Sequence, residues 1–243
     1  MNRIIIRLPG GGRINKKNEM QEIAWWDYRN YFINPEFYSE IKSVINNNIN
    51  CTFFFVSGGV GAFLYTNLCK SLGVGGDITS QVGCDIVSIM HKILINNLLG
   101  SGVDTYPTEM TLNELSEKVN LENSCYFIKP CSDIMSTDSL AAQVASIVLA
   151  DIVIYLKEGA PVYHIGFKEP TRVAKWSIND IRARAKEVNG HYIIDSEALN
   201  KIEEGNIKTI ITNPRAFSGF NYHESNFGLG GEENYSEVVN DLL

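Results

Sequence analysis

A chain of 243 residues, 44% of them hydrophobic and 20% charged, can bury a sizeable core and has the composition of an ordinary globular protein. Its net charge of −7 weighs against a nucleic-acid or anionic-membrane surface. We find no leader pattern and no apolar run of about 18 residues, so we expect a cytoplasmic protein without a membrane span. Five cysteines without C-x-x-C spacing and four scattered histidines predict idle thiols and no metal site.

Predicted strands and helices alternate along the chain. In chain order, we predict a strand at residues 4–8, a helix at 35–48, a strand at 51–59, helices at 82–100 and 111–119, and a strand at 124–130. A helix that begins near residue 137 leads into a strand at 152–156, and residues 192–195 lead into a short helix before a last strand at 207–213. Continuously apolar strands are typical of a mostly parallel sheet covered by helices on both faces. We therefore predict one α/β domain over residues 1–219 and a polar tail, 220–243, that packs loosely or is partly disordered.

The Ser-Thr-Asp stretch at residues 136–138 opens a helix that is rich in alanine. Thr137 or Asp138 can cap this helix, because a side-chain oxygen at the N-cap accepts a hydrogen bond from a free first-turn amide. A capped core helix is one explanation of the stretch. The alternative is that Asp138 also takes part in chemistry, and these residues alone leave both explanations open.

Two of the predicted strands end in glycine-rich loops. The loop residues are Gly10, Gly11 and Gly12 after the first strand, and Ser57, Gly58 and Gly59 after the second. Glycines let the backbone approach an anion closely, and the N-terminus of a following helix offers free amides. Both loops are therefore candidate phosphate sites, although neither matches the P-loop or the dinucleotide-binding pattern.

The order of the predicted strands, glycine loops and helices resembles that of the amino acid kinase family, and within it that of the uridylate (UMP) kinases of the archaeal type. The stretch S-T-D-S-L-A-A at residues 136–142 is similar to the family's T-T-D-x-x-A-A. Residues 149–170 and 190–213 follow the layout of two further family segments, so that the likeness covers residues 3–213. It implies a three-layer α-β-α sandwich whose central, mainly parallel sheet has about eight strands.

The resemblance also implies an ATP-dependent kinase that uses Mg²⁺ and acts on a phosphate-bearing small molecule such as UMP. Asp138 would orient the reacting groups or hold Mg²⁺ through water, and Arg7 would neutralise phosphate charge as a second catalytic residue. The residues that would face ATP are Gly10, Gly11, Gly12, Lys157 and Tyr163. The residues that would face the acceptor are Ser57, Gly58, Gly59, Asp77, Ser80 and Thr137.

The sequence departs from the family pattern at several places, including the spacing of Asp77 and Ser80 before Gly83. Ala160 and Pro161 replace an Asp-Gly pair, and no arginine stands between the second glycine loop and Tyr65. Two functions therefore stay open: the kinase, and a relative without catalysis that binds, stores or senses a nucleotide or an oxyanion. The retained Asp138 favours the kinase, whereas the missing arginine favours the second function.

An aromatic cluster lies between the first strand and the first helix. Its members are Trp25, Trp26, Tyr28, Tyr31 and Phe32. Such a cluster is either a base-stacking platform or a surface that packs on the core or on another subunit. The aromatic cluster and the family resemblance together predict a symmetric homo-oligomer, either a hexamer or a dimer.

Overall fold

The centre of the fold is an eight-stranded, mostly parallel sheet. This computed structural model describes residues 1–9, 35–58, 60–118, 121–130, 136–157, 159–163, 169–187 and 193–240. The strands in chain order are β1 (Asn2–Leu8), β2 (Cys51–Ser57), β3 (Thr105–Met110), β4 (Cys125–Ile128), β5 (Ile152–Leu156), β6 (Val162–Tyr163), β7 (Thr171–Arg172), β8 (Lys175–Ser177), β9 (Thr209–Thr212) and β10 (Tyr235–Val239). The helices are α1 (Pro35–Asn47), α2 (Val60–Ser71), α3 (Gly76–Gly100), α4 (Leu112–Glu117), α5 (Thr137–Val148), α6 (Ile178–Glu187), α7 (Ser196–Glu204) and α8 (Pro214–Phe217). Strands β6 and β7 pair with each other outside the main sheet.

The central strands of the sheet end at a common edge. The strand order is β3-β4-β2-β1-β5-β9-β10-β8. The first six strands in this order are parallel, β10 runs antiparallel to β9, and β8 runs parallel to β10. The register pairs Leu8 with Ser57 and Leu156 with Thr212, so β1, β2, β5 and β9 all present their carboxyl ends at one edge. In open α/β sheets, ligands bind beyond this edge.

Side chains of β1 and β2 alternate between two hydrophobic cores. One core contains Ile5 and Phe54, together with buried residues of α5 and α7. The other contains Ile4 and Phe53, together with buried residues of α1, α3 and α8. Helices therefore cover both faces of the sheet. The predicted α/β class and its three-layer α-β-α arrangement are confirmed.

Strand β3 lies at one edge of the sheet and was not predicted. Its residues, T-Y-P-T-E-M, are mostly polar, and only Thr105 and Met110 are buried. Pro107 is compatible with an edge strand, because one side of such a strand has no partner to receive its amide. A search for continuous apolar runs finds central strands and therefore misses this one.

The C-terminal residues contribute a strand to the main sheet. Strand β10 pairs with β9 on one side and with β8 on the other, and Tyr235, Ser236 and Val238 are buried. The prediction of a loosely packed tail is therefore wrong for residues 220–240. The strand is only five residues long, and the Gly-, Asn- and Glu-rich sequence before it hides it from hydropathy patterns.

Helix α3 begins at Gly76, before the predicted start at residue 82. Among the described residues it is the one helix that is long and apolar enough, by length and composition only, to cross a membrane. Core helices meet the same criterion, and the inward side chains of α3, including Met90 and Leu94, pack in the hydrophobic core beneath the sheet. The sequence analysis found no such segment, because charged and polar residues interrupt its apolar runs.

Candidate active site

Three charged side chains meet at the carboxyl edge of the sheet. The Asp138 carboxylate accepts two hydrogen bonds from Lys157 Nζ, at 2.9 Å to Oδ1 and 2.7 Å to Oδ2. Arg7 Nε lies 2.8 Å from Asp138 Oδ1. The Asp138 side chain is 2% exposed, whereas the side chains of Arg7 and Lys157 are 14% and 18% exposed. A buried carboxylate thus holds two cations that remain partly open to solvent.

The sheet and one helix bring these three residues together. Arg7 lies near the end of β1, Lys157 follows the last residue of β5, and Asp138 lies in the first turn of α5. The buried Tyr155 on β5 is opposite Arg7 in the strand register, and its hydroxyl donates to the backbone oxygen of Asp138 at 3.0 Å. This hydrogen bond fixes the start of α5 against the sheet.

Ser136 is the N-cap of α5. Its hydroxyl oxygen accepts a hydrogen bond from the backbone N–H of Ser139 at 3.0 Å. The prediction that Thr137 or Asp138 caps the helix is therefore wrong, because the helix already includes both residues and the turn brings Asp138 inward. The Thr137 hydroxyl instead accepts a hydrogen bond from Arg7 Nη2 at 3.2 Å.

Asp195 holds the start of α5 from the neighbouring helix α7. It is the N-cap of α7, and Oδ1 accepts hydrogen bonds from Ala198 N at 2.9 Å and from the Ser139 hydroxyl at 2.8 Å. Its other carboxylate oxygen accepts from the Ser136 hydroxyl. No role was predicted for Asp195, because its partners Ser136 and Ser139, at the start of α5, are more than 50 residues away in the chain. The sequence signal that could have identified Asp195 is its position directly before a predicted short helix.

Burial controls the protonation of the site. It lowers the pKa of Lys157 to about 8, against the opposing influence of the Asp138 charge. Burial also raises the pKa of Tyr155 well above its usual value, and the charge of Asp138 adds to that effect. The Tyr155 hydroxyl therefore stays protonated and can donate. At neutral pH, Arg7, Lys157 and Asp138 together carry one net positive charge, which suits an anionic ligand.

The acidic residues of the site suit a metal ion only in combination with phosphate oxygens. Within the described parts of the chain, no group of three His, Cys, Asp or Glu side chains is placed to hold a metal ion. Mg²⁺ commonly binds to one or two carboxylates together with substrate phosphates, and it keeps several of its waters. Asp138, with Arg7 and Lys157 on its oxygens, fits such an arrangement through a water molecule.

The two glycine loops begin side by side at the same edge. The backbone N–H of Gly58 donates to the carbonyl oxygen of Leu8 at 3.0 Å, which joins the end of β2 to the end of β1. Ser57 and Gly58 are buried there. The other loop residues, Gly10, Gly11, Gly12 and Gly59, lie outside the described residues, as does the aromatic cluster of residues 25–32. The phosphate-binding roles of the loops stay predictions.

The other predicted ligand residues lie on α3 and β6. Asp77 and Ser80 are exposed near the N-terminus of α3. Tyr163 is buried, with its hydroxyl 2.9 Å from Ser236 Oγ and its ring packed edge-on against Trp176 at 5.4 Å between centroids. These contacts give Tyr163 a packing role, and its contact with adenine stays a prediction.

A second polar cluster lies at the end of β2, on the opposite face of the sheet from Asp138. His91 Nε2 is 2.7 Å from Ser57 Oγ, and His91 Nδ1 is 2.5 Å from Glu109 Oε1. Ser57 and His91 are buried. The sequence analysis did not connect these residues, because β2, α3 and β3 each supply one of them.

Three solved structures resemble this one over almost the whole chain. The uridylate kinase from Archaeoglobus fulgidus matches with a TM-score of 0.63 and 18% identity, over 97% of this chain and 98% of that chain. The UMP kinase from Ureaplasma parvum matches with a TM-score of 0.68 and 17% identity, over 98% and 100% of the two chains. This protein has the fold of the UMP kinases.

The UMP kinase from Bacillus anthracis supports the same conclusion. It matches with a TM-score of 0.69 and 17% identity, over 99% of this chain and 97% of that chain. The resemblance predicted from the motifs is thereby confirmed as a likeness of fold. No protein-family model and no curated protein matches the chain. The function must therefore be argued from the site itself.

Proposed function

We propose that this protein is an ATP-dependent kinase that transfers the γ-phosphoryl group of ATP to the phosphate of a nucleoside monophosphate such as UMP. The observation that carries the proposal is the buried Asp138 carboxylate between Arg7 and Lys157 at the carboxyl edge of the sheet. A purely structural ion pair needs one cation, whereas this carboxylate holds two, and both remain partly exposed. The likeness of fold to solved UMP kinases supports the same function.

The proposed mechanism rests on positioning and on neutralising charge. Phosphoryl transfer requires little covalent chemistry from the protein, because its transition state is stabilised mainly by alignment and by nearby positive charge. Arg7 and Lys157 neutralise the phosphate oxygens, and Asp138 holds both cations in place. Thr137, which accepts a hydrogen bond from Arg7, contacts the acceptor phosphate in this proposal.

The remaining residues receive binding roles in this proposal. Gly10, Gly11 and Gly12 face the ATP phosphates, and Tyr163 lies near the adenine. Ser57, Gly58, Gly59, Asp77 and Ser80 bind the acceptor. Asp138 is the residue that would hold Mg²⁺, which when bound would supply neutralisation of phosphate charge.

A ligand screen followed by an activity assay tests the proposal. Millimolar ATP with Mg²⁺ is expected to raise the melting temperature, because a ligand at about a hundredfold excess over Kd stabilises the native state by about 2.7 kcal/mol. UMP and other monophosphates are screened in the same way, and release of ADP is then measured with each ligand that binds. Lys157→Met is expected to lose turnover, whereas Lys175→Met, at an exposed ion pair on β8, is the matched control that keeps it.

The outcomes separate the two functions that the sequence leaves open. ADP release that depends on a monophosphate supports the kinase. Binding of ATP or a monophosphate without any ADP release favours the relative that binds, stores or senses a ligand. An unchanged melting temperature with every nucleotide overturns the kinase, and an unchanged one with inorganic phosphate and other oxyanions as well overturns both.

A further inference from the structure

One face of helix α3 is exposed from its first turn to its last. The residues on this face follow one another at steps of three or four, on average about 3.5, which is the repeat of a coiled-coil seam. All of them are exposed, whereas the other side of the helix is buried in the core. We call this face the α3 stripe, and it consists of Ile78, Gln81, Asp85, Ile89, Lys92, Asn96 and Leu99.

The residue types of the α3 stripe follow nearly the same order in both directions. An isoleucine and a leucine stand at its two ends. The amides come next, at Gln81 and Asn96, and the charges Asp85 and Lys92 flank the centre. Each of these three pairs is centred on one point of the helix, between residues 88 and 89. A two-fold axis at that point therefore places apolar against apolar, amide against amide and negative against positive charge.

The two charges of the α3 stripe are not paired with each other or with other charges of the chain. Among the described residues, neither Asp85 nor Lys92 takes part in a salt bridge. They stand two helical turns apart, about 10 Å along the axis, which is too far for direct contact. Gln81 Nε2 donates a hydrogen bond to Asp85 Oδ1 at 2.8 Å and so holds that carboxylate on the stripe.

Apolar side chains occupy the ends and the centre of the α3 stripe. Ile78, Ile89 and Leu99 are 62%, 49% and 40% exposed. They extend over about 32 Å of one helix. Exposed apolar side chains that follow one line, rather than standing singly, commonly mark a protein interface. A two-fold contact along this line buries each of them once in either copy.

We propose that the α3 stripe binds a second copy of this chain, with the two α3 helices packed antiparallel about a two-fold axis between residues 88 and 89. In a two-fold contact the same surface serves both copies, so each pairing occurs twice. Asp85 lies opposite the partner subunit's Lys92, and Ile78 lies opposite the partner subunit's Leu99. This pairing does not rest on the proposed kinase function.

Charge selects this arrangement over its alternatives. Parallel helices in register would place Asp85 against the partner subunit's Asp85. Antiparallel helices shifted by seven residues in either direction would bring together either the two copies of Asp85 or the two copies of Lys92. Like charges placed against each other disfavour a contact. Of these arrangements, only the one centred between residues 88 and 89 pairs both charges with opposite charges.

Charge reversal in the full-length protein tests the pairing. Asp85→Lys and Lys92→Asp each turn two attractive contacts into two repulsive ones. We expect sedimentation at micromolar concentration to show a dimer or a larger even-numbered assembly of the wild type. Each variant should associate at least about tenfold more weakly at about 0.1 M salt. Glu117→Lys makes the same change of charge at an exposed position on α4 and is the matched control, which should assemble as the wild type does.

Two further samples keep the test independent of folding defects. The double variant Asp85→Lys/Lys92→Asp exchanges the two charges and is expected to associate as the wild type does. An equimolar mixture of the two single variants is expected to form heterodimers, because one chain then carries two positive charges on the stripe and the other two negative ones. At about 1 M salt the differences between the variants should shrink, since exposed charges are screened.

The outcomes decide the pairing without reference to ADP release. A wild-type monomer at micromolar concentration leaves the stripe to another partner and overturns the pairing. Assembly that both single variants retain unchanged places the contact elsewhere and also overturns it. Weaker association that neither the double variant nor the mixture restores overturns the antiparallel register. Recovery in both samples supports the pairing, whether or not the protein proves to be a kinase.

Discussion

Lys157 donates two hydrogen bonds to the two carboxylate oxygens of Asp138, and the lysine side chain is about nine times as exposed as the carboxylate, at 18% against 2%. The pair therefore shows a cation on its open side and a fixed anion beneath it. Arg7 on β1 contacts the same carboxylate, and its side chain is likewise more exposed than that of Asp138. This arrangement suits an anionic ligand, because the negative charge is buried and the positive charges are accessible.

Asp138→Asn is expected to destabilise the fold. The substitution leaves Arg7 and Lys157 without their shared counter-charge, and breaking a buried ion pair typically costs about 3–5 kcal/mol. For a chain of this size, that corresponds to a fall in melting temperature of about 6–20 °C. The double variant Asp138→Asn with Lys157→Met is expected to recover at least about 1 kcal/mol, because it also removes one unpaired cation.

Asp151→Asn is the matched control for that experiment. Asp151 is exposed at the opposite end of β1 and β5, where its carboxylate accepts a hydrogen bond from Arg3 N at 2.7 Å. Its loss is expected to cost about 1 kcal/mol. Equal falls in melting temperature for Asp138→Asn and Asp151→Asn would contradict the buried contacts of Asp138 with Arg7 and Lys157. Strictly additive losses of stability in the double variant would contradict them as well.

The pH dependence of kcat/KM is expected to report the low pKa of Lys157. This parameter follows groups of the free enzyme, in which burial lowers the pKa of Lys157 to about 8. Activity should therefore fall as pH rises through about 8, as the cation is lost. Lys157→Arg keeps the charge at any accessible pH and should remove this fall, whatever its absolute rate. A fall above pH 8 that persists in Lys157→Arg would assign it to another group.

The contribution of Lys157 to the free energy of unfolding should rise with pH, whereas the activity falls. The folded state binds the Lys157 proton less tightly than the unfolded state, whose lysine has the ordinary value of 10.5. Between pH 8 and 10.5 the unfolded chain binds more protons, so the contribution of Lys157 to the free energy of unfolding rises with pH. Chemical denaturation of wild type and Lys157→Met across this window isolates the contribution.

Arg7→Lys is expected to weaken ATP binding although it preserves the charge. The guanidinium of Arg7 contacts Asp138, the Thr137 hydroxyl and the Leu8 carbonyl oxygen at once. A lysine ammonium is a single point charge and cannot keep all three contacts. We expect a rise of about tenfold in the Kd for ATP, or about 1.4 kcal/mol, measured by calorimetry. Arg3→Lys at the start of the same strand should bind ATP as the wild type does, and equal affinities in both variants would remove Arg7 from the site.

The outer faces of α2 and α3 are expected to form a contact between subunits. Leu68 of α2 and Leu72, directly after the end of α2, are 55% and 71% exposed, and Ile89 and Ile93, one helical turn apart on α3, are 49% and 52% exposed. Exposed apolar patches of this kind commonly mark protein interfaces. Light scattering should show a dimer or hexamer that the Ile89→Lys/Ile93→Lys variant disrupts, whereas Ile49→Lys, at an isolated exposed position, should not. A wild-type monomer at micromolar concentration would contradict this expectation.

The sequence predicts the centre of this fold well and its periphery poorly. The continuous apolar runs of β1, β2 and β5 mark buried parallel strands, and the structure contains all three. The predicted helix at 111–119 is present as α4, and Thr111 and Glu114 form a capping box at its start, a local motif that the sequence carries. Strands β3 and β10 were missed, since an edge strand and a short C-terminal strand carry polar residues that periodicity does not detect.

The candidate site shows the same limit. A local motif singled out Asp138, and the family resemblance implied roles for Arg7 and Lys157, yet the contacts of Asp138 with these two residues span up to 131 residues of chain, from position 7 to position 138. The predicted cap, Thr137 or Asp138, lies one or two residues after the observed cap, Ser136, because serine, threonine and aspartate are all good caps. Contacts such as His91 with Glu109 follow from packing between elements and leave no mark in the linear sequence.

The most direct test of this account is the formation of UDP from ATP, Mg²⁺ and UMP by the wild type, by Asp138→Asn and by Asp151→Asn. Assays run at a temperature at which all three proteins are folded. The account predicts turnover by wild type and Asp151→Asn, and a loss of at least about a hundredfold in kcat for Asp138→Asn, on the order of 2.7 kcal/mol of transition-state stabilisation. Full activity of Asp138→Asn, or no UDP from a wild type that binds both nucleotides, would contradict it.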